Sequence, residues 1–151
     1  MRTRAAARNN GTETWQRYLV TEQVGFLLRT AAQRHTSIFA SQMIEGLTAP
    51  QFAALSKLME LGACSQNQLG RLIYLDVATI KGVVERLQAR RLVTAQKDPS
   101  DGRRHEITLT EAGRRLMKKA VPIAERITEQ TLMPLRGRDR ATLLRLLKQI
   151  S

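Results

Sequence analysis

Apolar residues recur at steps of three and four along most of this chain, which predicts a mainly helical protein. From Thr21 to Ile44, Val24, Leu28, Ala31, His35 and Ile38 fall on one stripe, widened by Leu27 and Phe39. Thr48, Pro50 and Gln51 then supply an N-cap, an early proline and a capping-box glutamine. Phe52, Leu55, Leu58 and Leu61 follow on one face, and Gly62 supplies the stop. Ser65 to Gln68 reads as a second capping box, opening a short helix with Leu69, Leu72 and Ile73 inward. Only Tyr74 and Leu75 separate it from a helix capped by Asp76 and running to Arg90, with Ile80, Val83, Val84 and Leu87 as its stripe. Two helices joined so tightly read as a helix-turn-helix.

The pattern then changes period. Leu92 to Lys97 and Glu106 to Leu109 read as paired strands, joined by the turn formers and arginines from Asp98 to Arg104. Thr110 caps a long helix through Ala112, Leu116, Ala120, Ile123 and Ile127, which Pro122 should kink and Pro134 should end. A last helix is expected from Asp139, with Leu143, Leu146, Leu147 and Ile150 on one side. Helix, helix and basic hairpin make a winged helix-turn-helix, mainly α with a small β-hairpin wing. Long helices before and after it are more than so small a lobe needs to cover itself, and they call for a partner surface. Residues 1–13, rich in Arg, Ala, Asn and Thr, read as a flexible basic arm, either an inert tail or an auxiliary phosphate contact.

Composition narrows the partners. The 151 residues suit one domain, here residues 14–151. Against 13 Asp and Glu stand 25 Lys and Arg, a formal charge of +12 that favours a polyanion. Placement says more than the total: Lys81, Arg86, Arg90, Arg91, Lys97, Arg103 and Arg104 crowd one third of the chain. A single cysteine, Cys64, excludes an intrachain disulfide and suits a reducing compartment. The basic N-terminus lacks the apolar stretch of a secretory signal, and no apolar run is long enough to span a bilayer. A soluble cytoplasmic protein, with no membrane partner, is expected.

With its apolar stripe turned inward, the Asp76 helix presents Thr79, Lys81, Gly82, Glu85 and Arg86 outward. Small or hydrogen-bonding groups near its start would let it sit deep in a major groove, and Arg86 and Arg90 could reach phosphates. The alternative is an ordinary solvated face, disfavoured by the adjoining basic hairpin. There Arg103 and Arg104 sit where a wing tip approaches the minor groove, whose narrow stretches concentrate negative potential. Asp98 and Asp101 either pair with these arginines or cap the turn.

The run DPSDGRRHEITLTEAG from Asp98 to Gly113, with VVERLQARRLV before it, resembles the wing signature of MarR-type regulators. The resemblance extends from about residue 20 to residue 150. It implies a homodimer whose first, fifth and sixth helices (about 18–45 and 111–151) form the interface, with the winged lobe at about 48–110. It also implies Arg103 as the minor-groove arginine and Asp101 as its support. Thr79, Lys81 and Arg86 match the recognition-helix stretch, Gln66 and Asn67 the helix before it. Many relatives have glycine where this chain has Arg91, a position that in the left-handed region costs arginine about 1 kcal/mol more than glycine.

MarR-type proteins often bind small aromatic acids, and LLRTAAQRHTSIF resembles the branch that regulates aromatic-acid breakdown. Arg29 or Arg34 could then neutralise a carboxylate or acyl-CoA phosphate, with His35 orienting the ligand and Trp15 or Tyr18 nearby. Equally, His35 is an ordinary hydrogen-bonded core residue and the arginines are solvated. Cys64 reads as a small core residue. Two separated histidines make a metal site unexpected, no cofactor is expected, and no nucleophile elbow, phosphate-cradling loop or paired buried carboxylates suggest an enzyme. The expectation is a repressor that binds a pseudo-palindromic operator in double-stranded DNA and is released by a small aromatic acid or its CoA thioester. A non-specific architectural DNA-binding protein is the alternative.

Overall fold

A computed structural model describes residues 17–97, 100–101 and 105–151. The expected roles of Trp15, Asp98, Arg103 and Arg104, and of the arm at 1–13, lie outside these residues. The chain divides into two compact units after Gln33. The first contains a 3-10 turn at Val20–Glu22 and the start of α1 (Val24–Gln42). The long helix expected from Thr21 thus begins later, because Gln23 takes an extended conformation (φ −85°, ψ 137°) and breaks the turn from the helix. Val24, Leu27 and Leu28, read from the sequence as part of an apolar stripe, are exposed here.

The second unit holds the rest of α1, then α2 (Ala49–Leu61), β1 (Ala63–Ser65), α3 (Gln66–Leu72) and α4 (Val77–Ala89). It closes with β2 (Val93–Lys97), β3 (His105–Leu109), α5 (Glu111–Leu132) and α6 (Gly137–Ile150). α2 starts as its sequence dictates: Thr48 Oγ1 accepts from the Gln51 amide while the Gln51 side chain accepts from the Thr48 amide. The Ser65 box is only half formed, since Ser65 Oγ accepts from the Gln68 amide and the helix records no bond in return. Pro122 lies inside α5, which is helical without a break from Glu111 to Leu132.

One strand was not expected. β1 pairs antiparallel with β3, placing Cys64 opposite Ile107, and β3 pairs with β2, giving the order β1-β3-β2. The hairpin is therefore rooted in a three-stranded sheet. Its inner face, with Cys64, Val93, Ile107 and Leu109, joins Leu55, Leu58, Leu69, Ile80, Val83, Val84, Leu87 and Met117 in one core. A second cluster joins Ile38 and Phe39 to Ile127, with the Phe39 and Phe52 rings edge to face at 6.1 Å.

Two glycines set the spacing. A Cβ on Gly70 would lie 3.0 Å from Ile80 Cγ2 and 3.1 Å from the Leu75 carbonyl oxygen, so any larger residue there would press α3 and α4 apart by a few tenths of an ångström. Gly113, at the start of α5, is tighter: a Cβ there would overlap the Leu92 carbonyl oxygen. Arg91 adopts φ 56°, so the turn keeps the left-handed conformation despite its cost to arginine, and Thr110 Oγ1 donates to its carbonyl at 2.7 Å. α6 starts two residues before the expected Asp139, and none of its residues is buried. It is held to α5 by Arg140, whose Nη1 lies 2.7 Å from Glu129 Oε2.

Candidate nucleic-acid interface

The outward face of α4 is assembled by its cap. Asp76 Oδ1 accepts from the Thr79 amide at 2.8 Å, and Thr79 Oγ1 donates to Asp76 Oδ2 at 2.7 Å. The hydroxyl bond, then the amide bonds, hold the Asp76 carboxyl below its usual pKa. A carboxylate at a helix N-terminus also meets the positive end of the dipole. The hydroxyl proton of Thr79 is therefore committed to the cap, and its oxygen offers a DNA base only an acceptor.

Ile80, Val83, Val84 and Leu87 are buried as the spacing requires, which leaves Lys81, Glu85 and Arg86 exposed. Lys81 Nζ lies 3.9 Å from Glu85 Oε1, an exposed pair worth little and easily exchanged for a phosphate. The Arg86 guanidinium lies back over Gly82, within 3.6–3.8 Å of where a Cβ would be. At the start of α3, Asn67 is exposed and Gln66 half-buried. Gln66, Asn67, Thr79, Lys81 and Arg86 thus all belong to the two helices of the helix-turn-helix, on or near its surface.

Arg90 does otherwise. The sequence suggested a phosphate contact, but Arg90 Nη2 donates to the Glu45 carbonyl at 2.8 Å. It fastens the α1–α2 loop, where Glu45 and Gly46 both take positive φ. A broad cleft of about 730 Å³ opens beside it, with Leu92 and Leu116 on its floor and Arg115, Lys118 and Lys119 around it. Arg115 is paired with Glu111 at 3.5 Å.

Asp101 is half-buried and engaged in an interaction. Cys64 is buried in β1, and burial, then the nearby Glu106 charge, push its thiol pKa up. That is the opposite of an activated thiolate. Among the described residues no three His, Cys, Asp or Glu side chains could hold a metal ion, and no helix is long and apolar enough to cross a membrane.

The residues singled out for a ligand belong to both units. In the first unit, the Arg29 guanidinium lies 5.0 Å from the Phe26 ring centroid, and its Nη1 donates to Gln33 Oε1 at 3.4 Å. In the second, Arg34 Nη2 donates to the Gln130 carbonyl at 3.1 Å, and His35 Nδ1 lies 3.0 Å from Thr131 Oγ1. The Thr131 hydroxyl spends its proton on the Ile127 carbonyl at 2.8 Å. His35 Nδ1 must therefore be the donor, which leaves Nε2 of the neutral ring as an acceptor. The sequence stripe could not show this threonine, because it lies 96 residues away on α5.

Comparison with known proteins places this arrangement. The MarR family model matches residues 47–105, from the end of the α1–α2 loop to the first residue of β3. Over 134 residues the chain is 44% identical to the HTH-type transcriptional repressor NicR of Pseudomonas putida, covering 88% of this chain and 85% of that protein. A probable transcriptional regulator from Pseudomonas aeruginosa superposes with a TM-score of 0.86 at 46% identity, over 88% of this chain and all of that one. BpsR of Bordetella bronchiseptica, whose DNA binding is regulated by 6-hydroxynicotinic acid, superposes with a TM-score of 0.84 at 42% identity. That match covers 88% of this chain and 96% of BpsR.

Proposed function

The chain belongs to the MarR family of transcriptional regulators, and from that premise we propose that it is a homodimeric repressor released from its operator by a small aromatic carboxylate. The observation that carries the DNA half of this reading is the exposed, basic outer face of α4 on a rigid, capped helix. Lys81 and Arg86 meet base edges and phosphates of the major groove, Gln66 and Asn67 meet the backbone from the start of α3, and Thr79 accepts from a base amino group. Arg103 and Arg104 of the wing, supported by Asp98 and Asp101, enter the flanking minor groove. The protein works in the cytoplasm, on double-stranded DNA.

Dimerisation is supported by apolar surface that one copy leaves uncovered. Leu144, Leu146 and Ile150 are exposed on α6, and Val24, Leu27 and Leu28 on α1. A two-fold dimer reads a pseudo-palindrome with half-sites about one helical turn apart.

The effector half rests on Arg34 and His35. Arg34 keeps four of its five donors for a carboxylate, and His35 Nε2 accepts from a ring hydroxyl or ring N–H. Arg29, in the first unit, is the alternative carboxylate partner that the sequence offers. A relative regulated by 6-hydroxynicotinic acid supports this ligand class, and a CoA thioester of such an acid is the fuller alternative. Release requires the ligand to bind more tightly to the dimer in which the two α4 helices do not match the half-sites.

Binding of the protein to duplexes with both half-sites, one half-site or a scrambled sequence tests the reading. The repressor favours the full palindrome by about 10³ over scrambled DNA. Equal affinity for all three would mean a non-specific coating protein, which the charge of +12 alone would also suit.

A further inference from the structure

The leading edge of the helix-turn-helix carries apolar groups where solvent-facing polar ones would be expected. Tyr74, in the turn, is 87% exposed, and Val77, the first residue of α4, is 68% exposed. Neither belongs to the core, which α4 reaches through Ile80, Val83, Val84 and Leu87. Tyr74 also stands at φ 57°, a left-handed conformation that a bulky residue adopts only at a cost. Glycine would meet that turn without strain. A strained backbone that holds an aromatic ring out in water is a reason to look for a function at that ring.

Resting on the DNA-binding reading above, we propose that Tyr74 and Val77 form an apolar edge that packs on the 5-methyl groups of thymines in the major groove. Thymine methyls are the apolar groups that the major-groove edges of the base pairs present. The occupant follows from the surroundings. Arg71, Lys81 and Arg86 are exposed on the same two helices. The nearby acids are engaged: Asp76 caps α4, and Glu85 lies beside Lys81. An apolar edge framed by exposed cations suits a polyanion with methyl groups in its groove. Val77 stands next to the cap, where the helix N-terminus approaches the bases most closely in a helix-turn-helix.

The test starts from sequences the protein chooses for itself. Wild type and Val77→Ala are each allowed to enrich duplexes from a random library, and the wild-type winner is then remade with deoxyuridine at single thymines. The edge predicts thymine at one or two positions of each half-site. Loss of one such methyl weakens wild type about three- to fivefold and leaves Val77→Ala unaffected, as expected for one buried methyl group. Tyr74→Gly should melt at a higher temperature yet bind that duplex at least threefold more weakly. A winner without thymine, a deoxyuridine penalty shared equally by Val77→Ala, or a Tyr74→Gly variant that binds like wild type would overturn the edge. Enrichment of no sequence by wild type would instead remove the DNA-reading function beneath it.

Discussion

Gly113 and Leu92 meet backbone to backbone: a Cβ added to the glycine would overlap the Leu92 carbonyl oxygen. That oxygen also accepts from the Thr110 amide at 3.0 Å, and Thr110 caps α5 by accepting from the Gly113 amide at 3.0 Å. The exit from α4, the first wing strand and the start of α5 are thereby joined through three residues. Gly113→Ala is expected to destabilise the fold by about 1–3 kcal/mol, because neither backbone segment can give way without losing a bond. Urea unfolding of the two proteins measures it, and a change under 0.5 kcal/mol, about the spread of ordinary surface substitutions, would show that the contact relaxes freely.

Gly82 predicts the opposite balance. Its neighbour is the flexible Arg86 guanidinium at ordinary contact distance, so alanine fits and should stabilise α4 by about 0.5–1 kcal/mol. The added methyl also lifts the helix from the groove floor. A higher melting temperature with at least tenfold weaker operator binding is expected, and unchanged affinity would mean that this face of α4 does not sit in the groove.

Much of this architecture is legible in the chain. The caps at Thr48, Asp76 and Thr110 form the bonds their side chains announce, and the α4 stripe is buried residue for residue. What escapes is whatever depends on distant partners. β1 has only three residues, the last of them the Ser65 cap, too few for the sequence to show an alternation, and it exists because β3 offers it an edge. Arg90 looks like its neighbour Arg86, and only the position of the Glu45 carbonyl separates a structural arginine from an exposed one. Tyr74 reads as a short connection because a sequence does not disclose a positive φ in a tyrosine.

His35 and Thr131 offer a test that separates stability from response. His35→Ala should leave operator affinity within about threefold of wild type but raise the aromatic acid concentration needed for release by tenfold or more. Thr131→Val, which removes the partner of Nδ1, should act in the same direction by releasing the ring from its orientation. Gel shifts titrated with acid check both, and an unchanged release curve for His35→Ala would take this histidine out of the effector site.

Acid should weaken the cap of α4. The Asp76 carboxyl has its pKa lowered in the fold, first by the Thr79 hydroxyl and then by the Thr79 amide. Its contribution is therefore complete above the unfolded value of about 4 and is lost as pH falls through the lower folded value. Wild type should melt above Asp76→Asn at pH 7, with the gap closing below about pH 4. A gap that stays constant to pH 3 would show that the carboxylate charge has no part in the cap.

The most direct test of the whole account is a gel-shift titration on the DNA flanking the protein's own gene, against a scrambled duplex, with aromatic acids and their CoA thioesters added in turn. A ligand-released repressor binds the native duplex about 10³ tighter and is released by one of these compounds. Equal binding to both duplexes, unmoved by every compound, would contradict it.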